Sequence, residues 1–280
     1  MQTKTFTARP LTLDDAQQFV NTSKLISADA GTNRTYQADF IQSQWQEPNF
    51  DLAQSSQGIF AENGDLAGFC VIWDTSETPV RPWIEWGVHP DYLEHNLSAQ
   101  LLQWADKVSQ RIIDRCPPHA RLSLHSGAIK GHTPVEDGLT QAGYTAIRSG
   151  YDMRIDMTSP PTVPNPPEGF KIRTYNHDED FHAFVQTFRD TFADHYGYVE
   201  EPFEKDVKEF EHWFTTDKLF DPTLISLAID EKTNKIAGYV MGMKEEHGDP
   251  TVGYIELVGV SPTYRRRGLA KVLLLHTFKN

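Results

Sequence analysis

The chain has 280 residues, 39% of them apolar and 23% charged, and a formal charge of −13. That length suits one large domain or two of about 140 residues, and so acidic a balance excludes the broad basic face that nucleic-acid binding needs. No apolar run reaches the roughly 18 residues of a membrane-spanning helix, the stretch Met1–Phe6 has no apolar signal core, and two cysteines (Cys70, Cys116) make no disulfide framework, which suits a reducing cytoplasm.

From the N-terminus, Ala8-Arg9-Pro10 precedes an acidic, helix-like stretch, Leu13–Phe19. The turn residues Asn63-Gly64-Asp65 lead into an apolar run, Leu66–Val71, which is a hairpin signal. A further strand, Trp83–Val88, ends at His89-Pro90, and Tyr92 follows. Leu97, Leu101, Trp104, Val108 and Ile112 recur at helical spacing and predict one apolar stripe, stopped by Pro117-Pro118. A strand over Arg121–His125, a short helix capped by Gly143 and a last strand region, Tyr144–Met157, complete this half.

Residues 158–168 read TSPPTVPNPPE. Five prolines in so short a stretch exclude a helix or central strand and predict an extended interdomain linker, with an ordered surface loop as the alternative. After it the first half is echoed. Ile172-Arg173-Thr174 and the acidic Asp178–Phe184 match the opening segment, Ile236–Met241 matches Leu66–Val71, and Tyr254–Pro262 matches Trp83–Pro90 with one residue's difference in length. Tyr264 stands where Tyr92 does. A period near 170 residues means duplicated domains. The expected division is 1–157, linker 158–168, and 169–280. After Tyr264 the second copy has 16 residues where the first has 65 after Tyr92. It ends inside an apolar helix (Leu269, Val272, Leu273, Leu275, Phe278), so either about 50 residues are missing beyond Asn280 or the domain is naturally abbreviated; truncation is the expectation.

The segment with the most chemistry is Tyr254–Lys271. An apolar strand turns at Pro262, passes through Arg265-Arg266-Arg267 and enters a helix at Gly268-Leu269-Ala270. A helix N-terminus presents unpaired N–H groups and the positive end of the macrodipole, a ready site for phosphate. Gly268 lets backbone approach an anion and Ala270 keeps the first turn slim. Three arginines supply local positive charge on an acidic chain. A basic capping loop without a ligand is the bland alternative, but the full order of strand, proline, arginines, Gly-x-Ala and apolar helix outweighs it.

At these residues the chain resembles the GCN5-related N-acetyltransferases (GNAT), whose signature Arg/Gln-x-x-Gly-x-Gly/Ala stands here as Arg265-Arg266-Arg267-Gly268-Leu269-Ala270. The two-domain layout is similar to tandem members of the mycothiol-synthase type. The resemblance implies a mixed α/β fold in tandem, the second copy incomplete. It implies acetyl-CoA as co-substrate, its pyrophosphate held by the loop (Arg265, Arg266, Arg267, Gly268, Leu269, Ala270) and its pantetheine by the strand (Leu257, Val258, Val260). A backbone N–H there polarises the thioester. The resemblance also implies an acceptor pocket bordered by His195 and Tyr198, and a general acid beyond Asn280. In the first half the same loop reads Leu93-Glu94-His95-Asn96. It lacks the arginine and the glycine and adds a carboxylate where pyrophosphate would sit, so this copy reads as degenerate.

Transfer of acetyl from a thioester to an amine needs a base. Glu256 shares a strand face with Tyr254 and Val258 on simple alternation and is the candidate, with strand orientation or substrate binding as its alternative role. Glu85, its counterpart, has no cofactor loop to serve. There is no His-Glu-x-x-His, Cys-x-x-Cys, Gly-x-Ser-x-Gly or Walker loop, the eleven histidines are scattered, and no metal site is expected. The expectation is an acetyl-CoA-dependent N-acetyltransferase acting on a small primary amine, cytoplasmic, monomer or homodimer, without nucleic-acid or membrane partners. A non-catalytic CoA-binding protein and an aminoacyl-tRNA-dependent transferase of the same fold are the alternatives.

Overall fold

Each half opens with a strand whose arginine grips the start of the first helix. In the computed structural model, which describes residues 5–76, 78–116, 118, 120–196, 198–246 and 249–279, β1 (Phe6–Arg9) ends in Arg9. Its guanidinium bonds Asp15 at 2.7 and 2.8 Å, and Asp15 also accepts the Thr12 N–H. In the second half Arg173 bonds Asp180 at 2.5 and 2.6 Å and Asp180 accepts the Asn176 N–H. Met1–Lys4, Pro117, Gly197 and Asn280 lie outside the described residues.

Contacts divide the chain into two compact units, Met1–Ser149 and Gly150–Asn280. In the first, β1 is followed by α1 (Ala16–Asp29), α2 (Ala38–Gln44) and α3 (Leu52–Ser55). Then come β2 (Ser56–Ala61), β3 (Leu66–Trp73), β4 (Trp83–Val88), α4 (Leu97–Ile113), β5 (His125–Ser126) and α5 (Thr133–Gln141). The sheet order is β1-β2-β3-β4-β5, antiparallel except for the parallel β4–β5 pair. The α4 stripe forms as its spacing predicts: Leu97, Leu101 and Ile112 are buried, with Trp104 and Val108 packed against them. Phe19, Trp45 and Phe69 centre a second core on the opposite sheet face, under α1 and α2.

The second unit contains β6 (Phe170–Thr174), α6 (His177–Phe192), α7 (Phe203–Thr216), β7 (Ile225–Asp230), β8 (Ile236–Met243), β9 (Tyr254–Val260) and α8 (Leu269–Thr277). Its sheet order is β6-β7-β8-β9, all antiparallel. One face packs on α6 and α7 through Phe184, Phe210 and Phe214, the other on α8 through Leu269 and Leu273. β8 is buried along its whole length, which its near-continuous apolar sequence requires.

The repeat extends to small details. Both units carry a bulge in the second strand pair, at Ile59/Phe60 and at Ala228/Ile229. Tyr92 and Tyr264 donate their hydroxyls to Asp65 and Asp230 at 3.2 and 3.0 Å. Two expected strands differ. Of the Arg121–His125 region only His125 pairs, in the two-residue strand His125–Ser126, and Tyr144–Met157 pairs with no strand among the described residues. Without a neighbour to bond its backbone a segment is not a strand, and Tyr151, Met153, Ile155 and Met157 remain exposed.

Asp180 gives the fold an acid sensitivity. Burial by itself would lift its pKa, but the Arg173 bonds and the Asn176 N–H prevail and hold it below the ordinary value. A carboxylate depressed by folding stabilises above its unfolded pKa of about 4 and loses that contribution as pH falls through the folded value. Arg173→Ala should therefore cost about 1–3 kcal/mol at pH 7, and the difference from wild type should shrink by pH 3 in urea unfolding.

Candidate acetyl-CoA site

β9 carries one residue more than β4, and the extra residue is Glu256. Leu257 lies opposite Met241, but the next pair is Ile255 with Gly242, so Glu256 has no partner across the ladder and forms a β-bulge. β3 and β4 run without a break from Gly68–Val88 to Trp73–Trp83. The bulge turns over the rest of the strand. Leu257 packs on the α6/α7 side, whereas Ile255 and Val260 pack on the α8 side. Simple alternation over Tyr254, Glu256 and Val258 therefore fails: Tyr254 lies opposite Met243 of the α6/α7 core, and Val258 opposite Val240 of the α8 core.

Glu256 remains open to solvent. The protein around its carboxyl, and then the charge of Asp217 at the end of α7, push its pKa above the ordinary carboxylate value. A carboxylate raised in this way accepts a proton more readily than an ordinary one, which suits a general base. Glu85 is also raised by burial, partly offset by a bond from Trp73 Nε1. The backbone beside the bulge is closely fitted. A Cβ on Gly259 would stand 2.8 Å from Thr191 Oγ1 and 2.9 Å from Tyr239 Cζ, and those two hydroxyls are 3.1 Å apart.

Past β9, the Ser261 N–H donates to Ala237 O and Pro262–Tyr264 makes one tight helical turn. Arg266 then takes φ +65° and Gly268 φ +85°, both left-handed. Gly268 caps α8, and a Cβ built on it meets nothing within 4 Å. That open space lies against the first-turn N–H groups of Leu269, Ala270 and Lys271, which have no carbonyl inside the helix to bond. Val258 and Gly268 are exposed and Val260 and Ala270 half-buried, so strand and helix start both present accessible surface.

The three arginines separate. Arg266 is exposed, with no protein partner among the described residues. Arg267 donates to Thr263 O at 3.3 Å and stands 5.8 Å from the rings of Phe170 and Tyr264. Arg265 is bound on several sides, to Val260 O, Thr191 O and the carboxylate of Asp194. Asp194 was not among the residues the sequence singled out.

His195 is exposed and Tyr198 half-buried, joined by a turn in which the Tyr198 N–H donates to His195 O at 3.1 Å. Burial raises the Tyr198 pKa, with Arg189 opposing. Phe210 and Phe214 belong to the core. Among the described residues no group of three or more His, Cys, Asp or Glu is placed to hold a metal, and no helix is long and apolar enough to cross a membrane.

The first unit differs at this place. Leu93, Val88, Ser98 and Trp86 meet His132, Pro134 and Val135 of the α5 start around a small cavity. Gly138 lies so close to Trp86 that a Cβ would stand 2.7 Å from the indole. The loop chemistry there departs from that of an anion site.

Residues 181–279 match the model of the Acetyltransferase (GNAT) family. The chain is 28% identical over 223 residues to a mycothiol acetyltransferase of Thermobispora bispora, covering 78% of this chain and 67% of that protein. It is 27% identical to one of Pseudarthrobacter chlorophenolicus, covering 78% and 63%. It thus spans about two thirds of the length of these relatives. Among solved structures, a GCN5-related N-acetyltransferase from Sphaerobacter thermophilus aligns with TM-score 0.75 at 23% identity, over 98% of this chain and 82% of that one. A tandem GNAT protein from the clavulanic acid biosynthesis pathway aligns with TM-score 0.65 at 13% identity, over 98% and 85%. Residues 181–279 are thus a domain of the GNAT acetyltransferase family, and the chain as a whole has the fold of tandem GNAT proteins.

Proposed function

We propose that the protein is an acetyl-CoA-dependent N-acetyltransferase that acetylates a primary amine of a small molecule. In this proposal residues 169–280 form the cofactor-binding domain, 158–168 a linker and 1–157 a degenerate copy. The observation that carries it is the bulged β9 running through an exposed basic loop into α8, whose cap Gly268 leaves open room before free N–H groups.

Leu257, Val258 and Val260 would hold the pantetheine arm. The N–H groups of Gly268, Leu269 and Ala270, with Arg266 and Arg267, would hold the diphosphate. The co-substrate supplies an activated acetyl thioester. The neutral amine attacks its carbonyl carbon, the C–N bond forms as the C–S bond breaks, Glu256 takes the ammonium proton directly or through water, and the departing thiolate takes a proton. His195 and Tyr198 would border the acceptor. Because these relatives are named mycothiol acetyltransferases, mycothiol-type amines are the first acceptors to assay, ahead of polyamines, aminoglycosides and amino sugars, which the acidic chain favours only weakly.

Calorimetric titration with acetyl-CoA is expected to show one site per chain, with free thiol released when the right amine is added. Binding without transfer across an amine panel would make the chain a non-catalytic CoA-binding protein. Absence of acetyl-CoA binding would overturn the proposal.

A further inference from the structure

Arg265, the first arginine of the loop, has little left to offer a ligand. Four of the five N–H donors of a guanidinium are engaged: Nε with Val260 O at 3.0 Å, Nη2 with Thr191 O at 3.1 Å and Asp194 Oδ1 at 3.0 Å, and Nη1 with Asp194 Oδ2. These partners sit on two elements, the end of β9 and the end of α6, so the side chain ties the loop root to the first helix of its unit.

The internal repeat supplies an independent view of Asp194. It lies 14 residues after the clamp residue Asp180, and Asp29 lies 14 after Asp15. The neighbouring pair agrees: Thr191 faces Gly259 as Ile26 faces Gly87. Asp29 is engaged too, but with His132 Nε2 at 3.0 Å. His132 opens α5 and lines a small cavity beside Leu93, the residue at the Arg265 position. In both copies the aspartate at this point of the first helix reaches the region where strand passes into loop and helix. In one it holds the loop arginine; in the other, with leucine in the loop, it holds a histidine that lines the cavity beside that leucine.

We propose that Asp194 is a positioning residue for acetyl-CoA binding, acting through Arg265, which holds the loop in place and leaves the diphosphate to Arg266 and the α8 N–H groups. This rests on the functional reading above. If Arg265 were instead a phosphate ligand, neutralising Asp194 would free a cation and remove a nearby anion, so affinity would hold or rise. The two roles thus predict opposite signs.

The test is calorimetric titration of acetyl-CoA into the full chain as wild type, Asp194→Asn, Arg265→Gln and the double variant, with Asp194→Glu as conservative rescue. Both side chains are partly solvent-exposed, so melting temperatures should stay close to wild type. Each single variant is expected to weaken binding about three- to tenfold, the double no more than the weaker single. Asp194→Glu should restore most of the affinity, and Asp194→Asn should leave the salt dependence of binding unchanged, because no phosphate contact is lost. Unchanged or tighter binding in Asp194→Asn overturns the proposal while leaving the acetyl-CoA site intact. So does a loss that only tracks a fall in melting temperature and is not recovered by Asp194→Glu. A wild-type chain that binds no acetyl-CoA overturns the functional reading itself, and the proposal with it.

Discussion

Gly268→Glu is expected to weaken acetyl-CoA binding by about 10²-fold or more, read by calorimetry. Two effects act together. The residue sits at φ +85°, a conformation that costs a residue with a Cβ on the order of 1 kcal/mol. Its side chain would enter the open space before the α8 N–H groups, placing a carboxylate where a diphosphate must lie. Gly268→Ala separates the two. Its methyl meets no atom within 4 Å, so only the backbone cost remains, and affinity should fall far less. Equal losses in the alanine and glutamate variants would show that loop shape, rather than anion binding, governs the site. Near-native affinity in Gly268→Glu would remove the loop from the cofactor site.

Glu256→Gln is expected to lower kcat by about 10²-fold or more with little change in acetyl-CoA affinity. The pH profile gives the sharper reading. A base must be unprotonated to act, and the Glu256 pKa lies above its ordinary value through desolvation and then Asp217. Wild-type activity should therefore rise with pH through that raised value, and Glu256→Gln should remove this limb. Stability should move differently. Folding raises this pKa, so the stabilising share belongs to the protonated form and is lost as pH rises. Gln at 256 should thus hold or raise the melting temperature at neutral pH. Unaltered kcat across the pH range would exclude Glu256 as the base.

The repeat, the apolar stripe of α4 and the strand–loop–helix order of Tyr254–Lys271 were legible in the sequence because each depends on local periodicity or on a residue type suited to one backbone state. Gly268 is the clearest case: a left-handed cap selects glycine, and the sequence displays it. Arg265 is the opposite case. Its charge predicts an anion partner, but whether that is a phosphate or a carboxylate 71 residues away depends on tertiary placement. The face of Val258 could not be derived from alternation, because a bulge shifts the period by one and appears only as a difference in length between two copies. Residues 151–157 alternate like a strand, but alternation specifies a side-chain pattern and not a hydrogen-bonding neighbour.

The inserted residue in β9 also bears on redesign. Grafting arginines and a glycine onto Leu93–Asn96 would give the first copy the loop charges on a ribbon of the other phase, since β4 keeps its register throughout. To give that copy the phase of β9 an engineer must add a backbone unit as well as exchange side chains, a change that no series of point substitutions supplies.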